Sequence, residues 1–169
     1  GFRRVHLGLS GGIDSSLVAA LAARAVGPDR VTAFALPSRY SSPGSLSDAE
    51  ALAANLGIAL ERVSIEPAFQ ASLASLQPVF RGAAPDSAEE NLQARLRGTL
   101  LMAYGNKFHS LLLATGNKSE LATGYCTLYG DMCGGLAAIS DLPKTFVYRL
   151  ARHMNRGVNA IPEYVFTRP

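Results

Sequence analysis

The stretch Ser10-Gly11-Gly12-Ile13-Asp14-Ser15-Ser16 has the residue types of a site for an anion. Two consecutive glycines let the backbone turn sharply and come close to a ligand. A helix starting directly behind them offers unpaired N–H groups and the positive end of its dipole. The spacing is neither the dinucleotide-binding GxGxxG nor the GxxxxGK[ST] of common nucleoside triphosphatases, because it has no lysine and sets Asp14 inside the loop. A carboxylate beside a phosphate repels it unless a cation lies between them, so Asp14 predicts Mg²⁺. The plainer reading is a glycine turn in which Asp14 is only a helix-end carboxylate.

Other residues could join this chemistry. Asn91 and Arg95 stand four apart, so on a helix an amide and a guanidinium share one face and can point together into a cleft; a solvated face is the alternative. Lys144 follows a long loop at the start of a helix, where the dipole prefers acids, which marks its charge as functional. Taken alone, Glu120 reads as the first-turn acid of a short helix. His6 is expected in the core, His109 ahead of a strand and His153 as a helix-end cation, since no nucleophile is spaced to use them.

The elements that must position these groups alternate. Val5 to Leu9 reads as a buried strand running into the glycine turn, and Ser15 to Val26 carries Leu17, Val18, Leu21, Ala22 and Ala25 at helical spacing. Val31 to Leu36 is a second strand, followed by a loop from Ser38 to Leu46 and a helix from Ser47 to Leu56 that Gly57 ends. Ile58 to Ile65 gives a third strand and Pro67 to Phe80 a helix. Ser87 then opens the longest helix, with a capping box to Glu90, an apolar stripe of Leu92, Leu96, Leu100 and Ala103, and an end near Asn106. Ser110 to Ala114 is a fourth buried strand, while Gly124 to Pro143 is glycine-rich and lacks periodicity. Apolar strands alternating with helices predict an α/β fold, an open parallel sheet with helices on both faces. Ligands of such sheets sit outside the carboxyl ends of the strands, where Ser10 to Ser16 falls.

Composition bounds the rest. The 169 residues are 48% hydrophobic and 17% charged, the balance of one globular domain with a sizeable core, so disorder and a disulfide-stapled miniprotein are excluded. No apolar run approaches the ~20 residues of a membrane span, and no signal peptide is evident, so no membrane partner and a cytoplasmic location are expected. The net charge of +3 comes from 13 Arg and 3 Lys without a long basic run, too diffuse for a nucleic-acid partner. Cys126 and Cys133 lack metal-ligand spacing and read as free thiols. The chain begins at Gly1 without Met and ends at Thr167-Arg168-Pro169 without a closing element, and is read as a single-domain fragment, residues 1–169.

The SGGxDS motif resembles the signature of the PP-loop ATP pyrophosphatases, which split ATP into AMP and pyrophosphate to adenylate a substrate. Ala114-Thr115-Gly116-Asn117-Lys118-Ser119-Glu120, then Thr123-Gly124-Tyr125 and Tyr129-Gly130-Asp131, narrow the resemblance to the synthetase domain of the NAD synthetases, in wording like the bacterial glutamine-dependent type. Glu89-Glu90-Asn91-Leu92-Gln93-Ala94-Arg95 is similar to that family's ENxQAR helix, and Leu36-Pro37-Ser38-Arg39-Tyr40-Ser41-Ser42 adds support. The resemblance implies a Rossmann-like sheet of the adenine nucleotide alpha hydrolase-like kind, and ATP-dependent amidation of deamido-NAD by ammonia through an adenylate. It implies ATP contacts from Gly8, Ser10, Gly11, Gly12, Asp14, Ser15, Ser16, Thr115 and Lys144, and Mg²⁺ on Asp14 and Glu120. Asn91, Arg95, Glu120 and Tyr125 are implied at deamido-NAD, and Asp131 orders its loop or receives ammonia, an Asx turn beside Gly130 being the alternative. Leu128 stands where ammonia-dependent relatives carry a lysine, so that contact does not carry over. Expected partners are a glutaminase domain upstream and further copies of the chain in a homo-oligomer. Another PP-loop amidotransferase or thiolase, or a non-catalytic adenine-nucleotide binder, is the alternative.

Overall fold

The computed structural model describes residues 1–40 and 43–167, with the side chain of Pro43 left aside. Its five strands are β1 (Arg4–Gly8), β2 (Val31–Ala35), β3 (Ala59–Arg62), β4 (Ser110–Ala114) and β5 (Leu136–Ala137). They form one parallel sheet in the order β3-β2-β1-β4-β5. The helices are α1 (Ile13–Val26), α2 (Pro43–Leu56), α3 (Glu66–Phe80), α4 (Ser87–Phe108), α5 (Lys118–Thr123), α6 (Lys144–Met154) and α7 (Tyr164–Thr167), with a 3₁₀ turn at Pro28–Arg30. The winding direction reverses between β1 and β4. A crevice opens at such a switch point, and the segments after these two strands border it.

Side chains alternate across the sheet with period two. Leu7, Ala33 and Leu113 join the core with Leu17, Val18, Leu52, Val147 and Ala151 of α1, α2 and α6. Phe34 and Leu112 face the other way and pack with Leu36, Ile65 and Leu101, beneath α3 and α4. Among the described residues no helix is long and apolar enough to cross a membrane.

His6 is on the α4 side, fully buried, with ring edges toward Phe34 and Tyr104. Its Nε2 donates to the Leu101 carbonyl at 2.9 Å, which leaves Nδ1 to accept from the Ser110 hydroxyl at 2.9 Å. Burial holds its pKa below the usual value near 6.5, against smaller opposing effects of backbone hydrogen bonds. The folded chain therefore binds fewer protons than the unfolded one below that value, and stability present above about pH 6.5 is lost as the pH falls, by at most about 1.4 kcal/mol per pH unit for this one group. Urea unfolding of the native chain and of His6→Gln from pH 8 to pH 5 checks this: the native curve should lose the additional increment, and parallel curves would contradict it.

Several elements depart from the sequence reading. The longest helix is capped by Asp86 rather than Ser87: Asp86 Oδ1 accepts from the Ala88 N–H at 2.7 Å, and Glu89, not Glu90, reaches back to the Asp86 N–H at 2.8 Å. Both pairs have the required spacing, and the earlier one gives the longer helix. The stripe Leu92, Leu96, Leu100 and Ala103 is not the buried face, which instead is Gln93, Gly98 and Leu101. A helix that walls a cleft presents small and polar residues there. The second helix starts at Pro43 rather than Ser47, the third strand is shorter than expected, and the stretch from Gly124 to Pro143 contains β5.

Candidate functional site

The Ser10–Ser16 loop runs from the carboxyl end of β1 into α1. Gly11 has φ 77°, and Gly12 is the N-cap of α1 without a side-chain hydrogen bond, so the first N–H groups of the helix have no capping side chain of Gly12 to occupy them. The Ser10 N–H donates to Ser15 Oγ at 3.3 Å, the two serine hydroxyls are 3.1 Å apart, and Ser15 Oγ donates to the Gly12 carbonyl at 3.2 Å. These bonds fix the curl of the loop. Ser16 is fully buried with its hydroxyl on the Gly12 carbonyl at 2.7 Å, so it shapes the turn from behind. A Cβ added at Gly11 would run into α2, against the Ser45 carbonyl oxygen and Asp48.

Two cavities meet over the switch point. The larger, about 760 Å³, lies over the ends of β1, β2 and β4 and is lined by Gly8, Phe34 to Ser38 and, from α4, Ala94, Arg97, Gly98 and Leu101. The smaller, about 400 Å³, is lined by Ser10, Gly12, Asp14, Ser15, Thr115, Gly116, Glu120 and Tyr125. Ser10, Thr115 and Asp131 line both, so one elongated ligand can place an apolar ring in the first and an anionic group in the second.

Asp14 is bracketed. Its Oδ2 is ion-paired with Lys144 Nζ, and its Oδ1 accepts from Asn117 Nδ2 at 2.8 Å. Lys144 opens α6, with its N–H on Ser119 Oγ at 3.0 Å, while the Lys118 N–H donates to the Leu142 carbonyl; the starts of α5 and α6 are thus tied together. Glu120 takes part in a capping box with Asn117: its Oε2 accepts the Asn117 N–H at 3.0 Å. Among the described residues no group of three or more His, Cys, Asp or Glu is gathered for a metal. Two hard carboxylates on one cavity match the Mg²⁺ habit of taking one or two protein oxygens and completing its shell with phosphates and water.

Asn91 and Arg95 do share a face, but they grip the neighbouring loop. Asn91 Oδ1 accepts from Thr127 Oγ1 at 2.8 Å, and Arg95 Nε donates to the Leu128 carbonyl at 3.2 Å. Asp131 Oδ1 accepts the Thr127 N–H at 2.9 Å from within the same loop, and Tyr129 there has a positive φ of 62°. Tyr125 is 81% exposed at the mouth of the smaller cavity. The two cysteines are free, Cys126 lining the smaller cavity and Cys133 the larger, where burial and then the nearby Asp131 carboxylate raise the thiol pKa.

Sequence reasoning passed over three residues. Arg97 lines the larger cavity with its Nε on the Leu36 carbonyl at 3.0 Å, and burial lowers its pKa without discharging it. Gln93 is buried and accepts from Ser38 Oγ at 2.8 Å. Asn117 is the third. The signal for Arg97 is its place in one row with Ala94 and Leu101, a face the leucine stripe obscured. Of Leu36 to Ser42, Arg39 pairs with Glu66, and Ser41 and Ser42 lie outside the described residues.

Gly98 brings α4 against the 124–135 loop. A Cβ there would lie 2.9 Å from the Gly130 carbonyl oxygen and 3.0 Å from Cys133 Sγ. Gly98→Ala gains about 1 kcal/mol of helix propensity but overpacks a backbone contact at roughly 1–3 kcal/mol, so a lower urea midpoint is expected; an unchanged or higher one would show that the loop yields freely.

The family profile for NAD synthase matches residues 1–169. The chain belongs to the NAD synthase family. The glutamine-dependent NAD(+) synthetase of Synechocystis sp. is 57% identical over 169 residues, all of this chain and 30% of that protein. The solved structure of glutamine-dependent NAD+ synthetase from Acinetobacter baumannii in complex with ADP superposes with a TM-score of 0.97 at 49% identity, over 99% of this chain and 32% of that one. NMN synthetase from Francisella tularensis superposes with a TM-score of 0.87 at 32% identity, over 98% of this chain and 65% of that one. This NAD synthase chain therefore spans about a third or less of the length of the glutamine-dependent relatives it matches.

Proposed function

We propose that residues 1–169 form the ATP-pyrophosphatase domain of a cytoplasmic, homo-oligomeric NAD synthetase, which amidates deamido-NAD with ammonia drawn from glutamine by a glutaminase domain elsewhere in a longer protein. The observation that carries the reading is the junction of an apolar cavity, sized for a nucleoside, with a cavity bordered by the Gly12-capped start of α1, Asp14 and Glu120. The ADP bound to the Acinetobacter relative supports the same nucleotide here, and the names of the relatives support the acceptor.

In this mechanism the adenosine of ATP occupies the larger cavity, and the loop N–H groups with Ser10 and Ser15 hold its phosphates. The nicotinate carboxylate oxygen of deamido-NAD bonds to the α-phosphorus, and the bond from that phosphorus to the bridging oxygen breaks, releasing pyrophosphate. Lys144 and the loop N–H groups carry the charge that grows on the departing group. Asp14 and Glu120 would hold Mg²⁺, which when bound supplies further neutralisation of that charge. Ammonia then bonds to the activated carbonyl carbon, the carbon–oxygen bond to AMP breaks, and a proton passes to water. Asn91, Arg95 and Asp131 keep the 124–131 loop in place over the acceptor, with Tyr125 at its mouth.

Chromatography of nucleotides tests this with ATP, Mg²⁺ and deamido-NAD, adding ammonium or glutamine. AMP and NAD in equal amounts with ammonium but not with glutamine is expected of this chain. Formation of NMN from nicotinic acid mononucleotide, and no NAD from the dinucleotide, would move the reading toward the product for which the Francisella relative is named. Intact ATP with this chain, and with one extended to the length of its relatives, would overturn the reading.

A further inference from the structure

Asn117 is among the largest fully buried side chains of the molecule, and both ends of its amide are used. Oδ1 accepts the Glu120 N–H at 3.1 Å, while Nδ2 donates to Asp14 Oδ1 at 2.8 Å, across 103 residues of sequence. Its backbone N–H donates to Glu120 Oε2 at 3.0 Å. One residue thus holds both carboxylates to which the proposed function gives the metal.

Capping alone does not call for this residue. Ser, Asp and Asn cap helices about equally well, because a cap needs only an acceptor. Of these, Asp has no donor, and Ser has one short hydroxyl for both tasks, whereas Asn accepts from the helix through one atom and donates through another to a carboxylate farther away. The two oxygens of Asp14 are then unlike. Oδ1 is held by an amide with no exposure to solvent, whereas Oδ2 is paired with Lys144, whose side chain is 40% exposed and free to exchange.

We infer that Asn117 is a positioning residue that sets Asp14 and Glu120 for a divalent cation, fixing Asp14 through Oδ1 and leaving Oδ2 with the exchangeable Lys144. This rests on the proposed function. A divalent cation bound through Asp14 Oδ2 would displace the Lys144 side chain, and Asn117 would still hold the carboxylate through Oδ1.

The test is Mn²⁺ binding, followed by electron paramagnetic resonance with saturating α,β-methylene ATP, in the native chain and in Asn117→Ser, which keeps an acceptor for the Glu120 N–H but cannot reach Asp14. Loss of a partner that orients a metal ligand typically weakens metal binding 10–100-fold, and that weakening is expected, with nucleotide affinity in the absence of metal unchanged. Equal Mn²⁺ affinity in the two chains, or equal loss of nucleotide affinity with and without metal, would overturn the inference and leave Asn117 as a cap only. Should the serine variant not fold, Asn117→Thr, a cap whose hydroxyl likewise cannot reach Asp14, takes its place, and native Mn²⁺ affinity in it would again overturn the inference. If the native chain binds nucleotide but shows no Mn²⁺ dependence, the metal reading of the site fails and the inference with it.

Discussion

Asp14→Asn should fold normally and form AMP about 10³-fold more slowly or worse. The substitution is isosteric and keeps an oxygen for the Asn117 donor, and the ion pair it removes joins side chains 17% and 40% exposed, a pair of small worth to stability. It does remove one of two carboxylates on the smaller cavity, where metal-derived stabilisation of a departing pyrophosphate amounts to several kcal/mol, so a fall in AMP formation of about 10³-fold or more is expected. Circular dichroism and melting should match the native chain while the nucleotide assay stays silent. Native turnover in this variant would remove the metal from Asp14.

Gly11→Ala has the largest expected effect on stability. At φ 77° an alanine is strained by roughly 1–2 kcal/mol, and its Cβ would lie 2.8 Å from the Ser45 carbonyl oxygen and 3.1 Å from Asp48 Cβ. Overpacking against a backbone adds roughly 1–3 kcal/mol, giving about 2–5 kcal/mol in all, a large part of the stability of an ordinary domain. Gly82 supplies the control: it has the same φ of 77° with nothing within 4 Å of its added Cβ. Gly82→Ala should lose only the backbone part. Urea unfolding of both variants measures the difference, and equal losses would mean that α2 moves aside at no cost.

The order of β1 to β4 and of the helices between them was legible from apolar runs such as Val31–Ala35 and Ser110–Ala114, and β4 was read with its observed bounds, whereas β3 carries Glu61 and Arg62, is mostly exposed and came out shorter than expected. The β5 strand was not legible. Its two residues exist only by pairing with Leu113 and Ala114, more than 20 residues earlier, after Gly135 has let the chain pass close to Leu111. The face of α4 was misjudged for a related reason: its leucines promised a core, but the cleft wall needs Ala94 and Gly98 for close approach and Arg97 for its charge. Within the site, the loop after β1 could be read from residue types alone, while the Thr115–Glu120 segment stood out only by its family resemblance, since Glu120 by itself reads as a first-turn acid. The Asn117 bond to Asp14 could not, because it depends on β1 and β4 being neighbours at the point where the winding reverses.

Pyrophosphate exchange shows whether this crevice joins a carboxylate of deamido-NAD to the α-phosphate of ATP. Labelled pyrophosphate is incubated with the chain, ATP, Mg²⁺ and deamido-NAD in the absence of ammonium, so that only the first step and its reversal can run. Label entering ATP only when deamido-NAD is present is the predicted result. Exchange that does not depend on deamido-NAD, or none in a chain that binds ATP and deamido-NAD together, would rule out adenylation of deamido-NAD as the first step.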